Sequence, residues 1–288
     1  MNTGRMAAAN AHLRKFRLRR SALPGFGLTL GITLAWLSLI VLIPLAALAL
    51  RPWELGLAGL WHSVSEPRVL AALRLSFGAA ALAALLNVPL GLLVGWVIVR
   101  YRFPGRGLAE ALIDMPLALP TAVAGIALTA LFATKGWLGA LLLPLGIKVA
   151  STPLGVLVAL MFVGLPFVVR TLEPVLLDLP RDAEEAAATL GATRWQTWRR
   201  VVLPALLPSL LVGFGAALAR GVGEYGSVIF IAGNMPMISE IAPLIIVTRL
   251  EQLDYAGAAA LALVMLVASF AILLVLNALQ RRLGGRSN

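Results

Sequence analysis

The chain has 288 residues, 60% of them hydrophobic and only 13% charged, with a mean hydropathy of +0.93. Soluble domains carry about 25% charged residues, so a soluble globule is excluded and an all-α polytopic membrane protein is expected. Cysteine is absent, which removes disulfides, thiolate metal sites and thiol nucleophiles, and the net charge of +11 points to nucleic acid only if topology leaves it unexplained.

Residues 1–24 form a basic tail with Arg5, Arg14, Lys15, Arg17, Arg19 and Arg20. Six apolar segments follow, at roughly 25–50, 75–99, 115–134, 153–169, 201–231 and 257–279. The first holds 26 consecutive uncharged residues. Signal-peptide cores span about 7–15 residues, so this one reads as a membrane anchor. His12 lies in the tail and His62 in an expected loop; neither belongs to a zinc or triad pattern. In the second segment, "GAAALAAL" at 78–85 suits close helix packing. Pro44, Pro89, Pro116, Pro120, Pro166, Pro204 and Pro208 fall in or beside the segments and predict a bent bundle.

The stretch "DAEEAAATLGATRWQTWRRVVLP" at 182–204 is polar where its surroundings are not. Asp182 and Glu185 read as a capping box, followed by alanines and then Gly191 as a left-handed stop. Thr193 and Gln196 repeat the capping spacing and predict a second helix that enters the membrane. The first helix would have about eight residues, too few to stand alone in water. It must dock, through the small face of Ala183, Ala186, Ala187 and Leu190, either on its own bundle or on another protein. Trp195 and Trp198 suit an aromatic belt, with Arg199 and Arg200 at lipid phosphates.

In the fifth segment Arg220 and Glu224 are four apart, which places them on one face of a helix. They read either as a mutual ion pair or as part of an anion path. Gly221, Gly223 and Gly226 beside them permit a bend. Residues 241–248, "IAPLIIVT", are too few to cross and read as interfacial or re-entrant. With six spans, 17 of the 24 Lys and Arg residues fall on one side and 6 on the other. The basic side is expected to be cytoplasmic, with both termini on it, and topology then accounts for the charge without nucleic acid.

Glu185-Ala186-Ala187, Gly191 after three residues, and Val201-x-Leu203-Pro204 after nine more resemble the E-A-A-x3-G-x9-I-x-L-P loop of ABC-importer permeases, with Val201 for isoleucine. "RYRFPGR" at 100–106, "DMPLALPTAVAGIALTALF" at 114–132, "GLPFVVRTLEPVL" at 164–176, "GEYGSVIFIAGNMP" at 223–236 and "TRLEQLDYAGA" at 248–258 resemble the T-type subunit of bacterial sulfate/thiosulfate permeases. Molybdate/tungstate permeases are the alternative within the family.

The resemblance implies a type I importer fold over residues 25–282, a coupling loop at about 180–204, and a short C-terminal tail at 283–288. It implies that Glu184, Glu185, Ala186, Ala187, Leu190, Gly191, Leu203 and Pro204 form the surface docking on an ABC ATPase dimer. Pro120, Thr121 and Gly125 would line the translocation path with Arg220 and Glu224. The other implied partners are a second, W-type permease subunit and a periplasmic sulfate/thiosulfate-binding protein in a bacterial inner membrane. The chain contains no G-x-x-x-x-G-K-[ST] loop, so ATP and Mg are expected on the partner ATPase, with no cofactor or metal on this chain. An ion-coupled secondary transporter lacks the expected repeats and has no use for the loop. A membrane-embedded enzyme lacks intramembrane His, Cys or paired Asp.

Overall fold

The computed structural model describes residues 26–284. Basic tail residues, His12 among them, and residues 285–288 lie outside it. Every described element is helical or a turn. Six helical stretches among the described residues are long and apolar enough to cross a membrane: Phe26–Ser65, Pro67–Arg100, Thr121–Leu145, Pro153–Asp178, Arg194–Val222 and Tyr255–Gln280.

The chain divides into two compact units, Met1–Ala47 and Leu48–Asn288. In the first, helix α1 (Phe26–Leu37) has no buried residue. Such a helix, apolar all round, belongs against lipid or another apolar surface. A π turn, Ser38–Leu42, joins it to α2 (Ile43–Leu50). Pro44 explains this turn. It has no N–H to donate, and its ring would clash with the carbonyl of Ile40, so the chain widens just before it.

The second unit opens with a 3-10 turn, Arg51–Leu55, and α3 (Gly56–Ser65). His62 therefore sits in a helix, not a loop. Three long helices build the core: α4 (Pro67–Arg100), α8 (Pro153–Asp178) and α11 (Leu203–Val222). α4 offers a mostly small buried face to the Val and Leu side chains of α8 and to both Leu and Gly of α11. Ala80, Ala83 and Ala84 of the 78–85 run are buried, and Gly221 of α11 comes so near Ala80 that an added Cβ would lie 3.3 Å from the alanine methyl. With no water to expel between helices in lipid, close backbone approach and dispersion hold the bundle. One polar tie crosses it. Asn87, buried in α4, donates through Nδ2 to the Met161 carbonyl of α8 at 3.0 Å.

The third span differs from its expected extent. α5 (Arg106–Ala118) ends before Pro120, and the spanning stretch starts afresh as α6 (Thr121–Phe132) and α7 (Trp137–Leu142). Proline restricts the residue before it to extended backbone, and Leu119 is extended, with ψ 139°. The fourth span continues to Asp178, well past 169, with Pro166 and Pro174 inside it. The fifth stops at Val222, because Gly223 to Ser227 form a turn before the single-turn helix α12 (Val228–Ile231).

The short apolar stretch forms α13 (Ala242–Glu251), about 15 Å long and half a hydrocarbon core. It is fastened to α4 at its N-terminal end, and at its C-terminal end to the last helix, α3 and the residue ahead of α4. Arg68 gives Glu240 two hydrogen bonds of 2.7 Å, and the Ala242 N–H donates to Ser76 Oγ at 2.9 Å. Arg249 donates to the carbonyls of Gly257 (2.9 Å) and Ser63 (3.2 Å) and to Glu66 (3.2 Å). The last helix, α14 (Tyr255–Gly284), packs against α11 and α13.

Candidate functional site

The polar stretch folds as helix, turn, helix: α9 (Arg181–Thr189), a glycine turn, and α10 (Arg194–Thr197) leading through a π turn, Trp198–Val202, into α11. The first expected capping box does not form. Pro180 occupies the N-cap, with φ −69°, and no side chain caps the helix. Asp182 is thereby moved into the first turn, where with Glu184 it complements the positive helix end instead. The second box does form: Gln196 N–H donates to Thr193 Oγ1 at 3.3 Å, and Thr193 N–H to Gln196 Oε1 at 2.9 Å.

Gly191 ends α9 with φ +79°. The Gly191 N–H reaches the Ala188 carbonyl and the Ala192 N–H the Ala187 carbonyl, the paired bonds of a Schellman motif. The π turn again ends two residues before a proline, here Pro204, whose ring would meet the carbonyl of Arg200. Leu203 is half-buried and Pro204 exposed.

The expected docking face of α9 is divided. Ala183 and Ala187 are half-buried against the bundle, whereas Glu185, Ala186 and Leu190 are exposed, Leu190 to 88%. Glu184 turns away from Glu185 and accepts from Arg100 Nη2, at the last residue of α4, at 2.7 Å. The Arg100 guanidinium lies 5.1 Å from the Trp96 ring. Behind α9 a cavity of about 350 Å³ is lined by Trp96, Glu184, Ala188, Ala192, Arg194, Thr197, Trp198 and Val202. Trp195 and Trp198 stack with centroids 5.7 Å apart and planes 7° from parallel.

The candidate path residues come together through a residue that sequence reasoning missed. Arg220 and Glu224 form an ion pair, but not along one helix: Glu224 lies beyond the end of α11 and is 3% exposed. Its Oε1 accepts from Ser227 N–H (3.0 Å) and Oγ (2.8 Å). The backbone of Ser227 presses on Gly125 of α6, where an added Cβ would come within 2.4 Å of the Ser227 carbonyl oxygen. Gly226 likewise meets Thr121, with 2.1 Å left between such a Cβ and Oγ1. Pro120 caps α6 and is exposed. Thr121, Gly125, Arg220 and Glu224 are thus joined by the turn at 226–227.

A second ionic group went unread. Arg170 of α8 pairs with Asp114 of α5, its Nε lying 2.9 Å from Oδ1, and also with Glu173. Arg106 pairs with Glu110 along α5 at 2.8 Å. Of these, the Arg170–Asp114 pair holds α5 against α8. No three acidic or histidine side chains cluster as a metal site among the described residues.

Residues 87–286 match the family model described as binding-protein-dependent transport system inner membrane component. The chain is 48% identical over 267 residues to a sulfate transport system permease protein CysT of Salmonella typhimurium, spanning 93% of this chain and 96% of the relative. It is 47% identical over the same length to the protein of that name from Escherichia coli, and 46% identical over 248 residues to that from Synechococcus elongatus, which covers 86% of this chain and 89% of the relative. Its fold is similar to that of a chain in a bacterial ABC transporter that imports the acidic polysaccharide alginate, with a TM-score of 0.72, 16% identity, and coverage of 88% of this chain and 94% of that one. It is also similar to a chain of the inward-facing MetNI methionine ABC transporter, with a TM-score of 0.57, 18% identity, and coverage of 74% and 95%.

Proposed function

The chain belongs to the family of binding-protein-dependent transport system inner membrane components, and from that premise we propose that it is the permease subunit of an ATP-driven importer moving sulfate or thiosulfate into the cytoplasm. The near full-length similarity to sulfate permeases supports the anion class. One geometric observation carries the energy source. A nine-residue helix, too short to persist in water, projects an exposed Glu185, Ala186 and Leu190 with no described partner of their own. That face is the surface for an ATPase, which holds the ATP and Mg. This chain is a non-catalytic subunit and carries no cofactor.

The remaining assembly is a second, W-type permease, an ATPase dimer and a periplasmic sulfate/thiosulfate-binding protein in a bacterial inner membrane. The basic loops put the α9 end of the bundle and both termini in the cytoplasm. Arg220 and Glu224 set the wall of the path rather than capture the anion: the carboxylate is already engaged by Arg220 and Ser227. The binding protein supplies tight selection, and a path needs only weak contacts.

The test is labelled-sulfate uptake by vesicles holding the full complex. Uptake is expected to survive ionophores that collapse ion gradients and to stop when ATP is depleted. Uptake that follows the proton or sodium gradient overturns the reading. Competition by thiosulfate but not molybdate is the expected selectivity.

A further inference from the structure

The two glutamates at 184 and 185 are adjacent in the chain and face opposite ways. Glu185 is exposed, while Glu184 is bonded to Arg100. The chain itself connects α9 to α8 through Leu179 and Pro180, and to α11 through α10. It makes no such connection to α4, because Arg100 and Glu184 are 84 positions apart. Among the described residues, this ion pair is the side-chain hydrogen bond that links α9 to a spanning helix.

The pair is built to be stiff. The Arg100 side chain is 12% exposed and lies over the ring of Trp96, one turn earlier on the same helix. An aromatic face and low exposure keep water from the guanidinium, which strengthens its attraction to the carboxylate. Packing beside the pair is loose. Ala188 and Ala192 face the cavity of about 350 Å³ and do not fill it. The helix is therefore held to α4 by a direct ion pair beside a cavity. At the far end of α4, Arg68 is clamped to Glu240 ahead of α13.

We propose that Glu184 and Arg100 are positioning residues that transmit movement of α9 to α4, and through the Arg68–Glu240 clamp to α13. This rests on the reading of α9 as the ATPase-facing helix. Glu185 and Leu190 serve that outer contact, and Glu184 the inner one. α4 acts as a 34-residue lever between the two ends of the bundle.

The experiment uses the complete complex in vesicles and reads sulfate transported per ATP hydrolysed. Glu184→Gln keeps the size and removes the charge, and is expected to lower that ratio roughly tenfold. Arg100→Gln should do the same, and the double variant should be no worse than either single change, because one connection can be cut only once. An unchanged ratio, or single effects that multiply in the double variant, overturns the proposal. Ala188→Leu fills the cavity with both charges in place and is expected to slow transport and hydrolysis together; an unaffected Ala188→Leu complex also overturns it. Co-purification of the ATPase with the unsubstituted chain is the separate check. If it fails, the reading of α9 is at fault, and if it holds while the ratio does not move, the role of the ion pair alone is.

Discussion

At Ser227 one residue holds several parts of the bundle in register. Its N–H and hydroxyl bind Glu224, which also holds Arg220 at the end of α11, and its carbonyl oxygen lies against Gly125 of α6. Gly125→Val should therefore cost about 1–3 kcal/mol by overpacking, because the obstacle is backbone and cannot turn aside. It is expected to lower thermal stability in detergent and to abolish uptake. Gly223→Ala, where an added Cβ meets nothing within 4 Å, is the matched control and should transport normally. The Arg220 and Glu224 spacing was legible in the sequence. Ser227 was not, since its role arises only because the helix breaks at Gly223. Nor does sequence separate Glu184 from Glu185: which one faces inward depends on an arginine 84 positions away.

Among elements, local signals held where nothing stronger competed. Thr193 and Gln196 form their capping box, and Gly191 takes the left-handed stop, because both are set by a few neighbouring residues. Asp182 fails as a cap because Pro180 already starts the helix. Hydropathy marked the third span but not its break, since a run of apolar residues reads the same on either side of Pro120. Gly191→Val is the sharpest test at this scale. No atom crowds that position, so the whole cost comes from forcing a β-branched residue to φ +79°, about 1–2 kcal/mol. The turn should open and α9 lose its direction. Membrane insertion is expected to remain normal, as judged by the amount of chain extracted from membranes, while ATP hydrolysis no longer drives uptake.

Over the whole molecule, the bundle sets the alanine- and glycine-rich face of α4 against bulkier side chains of its neighbours. α4 meets α11 through Ala80 and Gly221, and its one buried amide, Asn87, ties it to α8. Membrane class and span number were legible because hydropathy is a property of long segments. Which faces meet was not, because small residues are spread over every side of these helices. The expected orientation can be read directly, since a chain with no cysteine of its own accepts single reporters. Leu190→Cys, on the exposed tip of α9, should react with a membrane-impermeant maleimide in inside-out vesicles. Trp137→Cys, at the exposed start of α7, should react in right-side-out vesicles. The opposite pattern would reverse the topology.

The π turn ahead of Pro204 has a consequence for direction. One additional residue in a turn rotates everything beyond it by about 100° around the helix axis. Trp195 ahead of it, stacked on Trp198 at its first residue, and the buried Leu206 and Leu210 beyond it therefore follow different helical phases. The bundle can choose its buried stripe without dictating where the glycine turn and α9 point. A proline that looks like an interruption acts as an angular offset, and shortening the turn by one residue would swing α9 around the axis of α11 with every one of its own side chains unchanged.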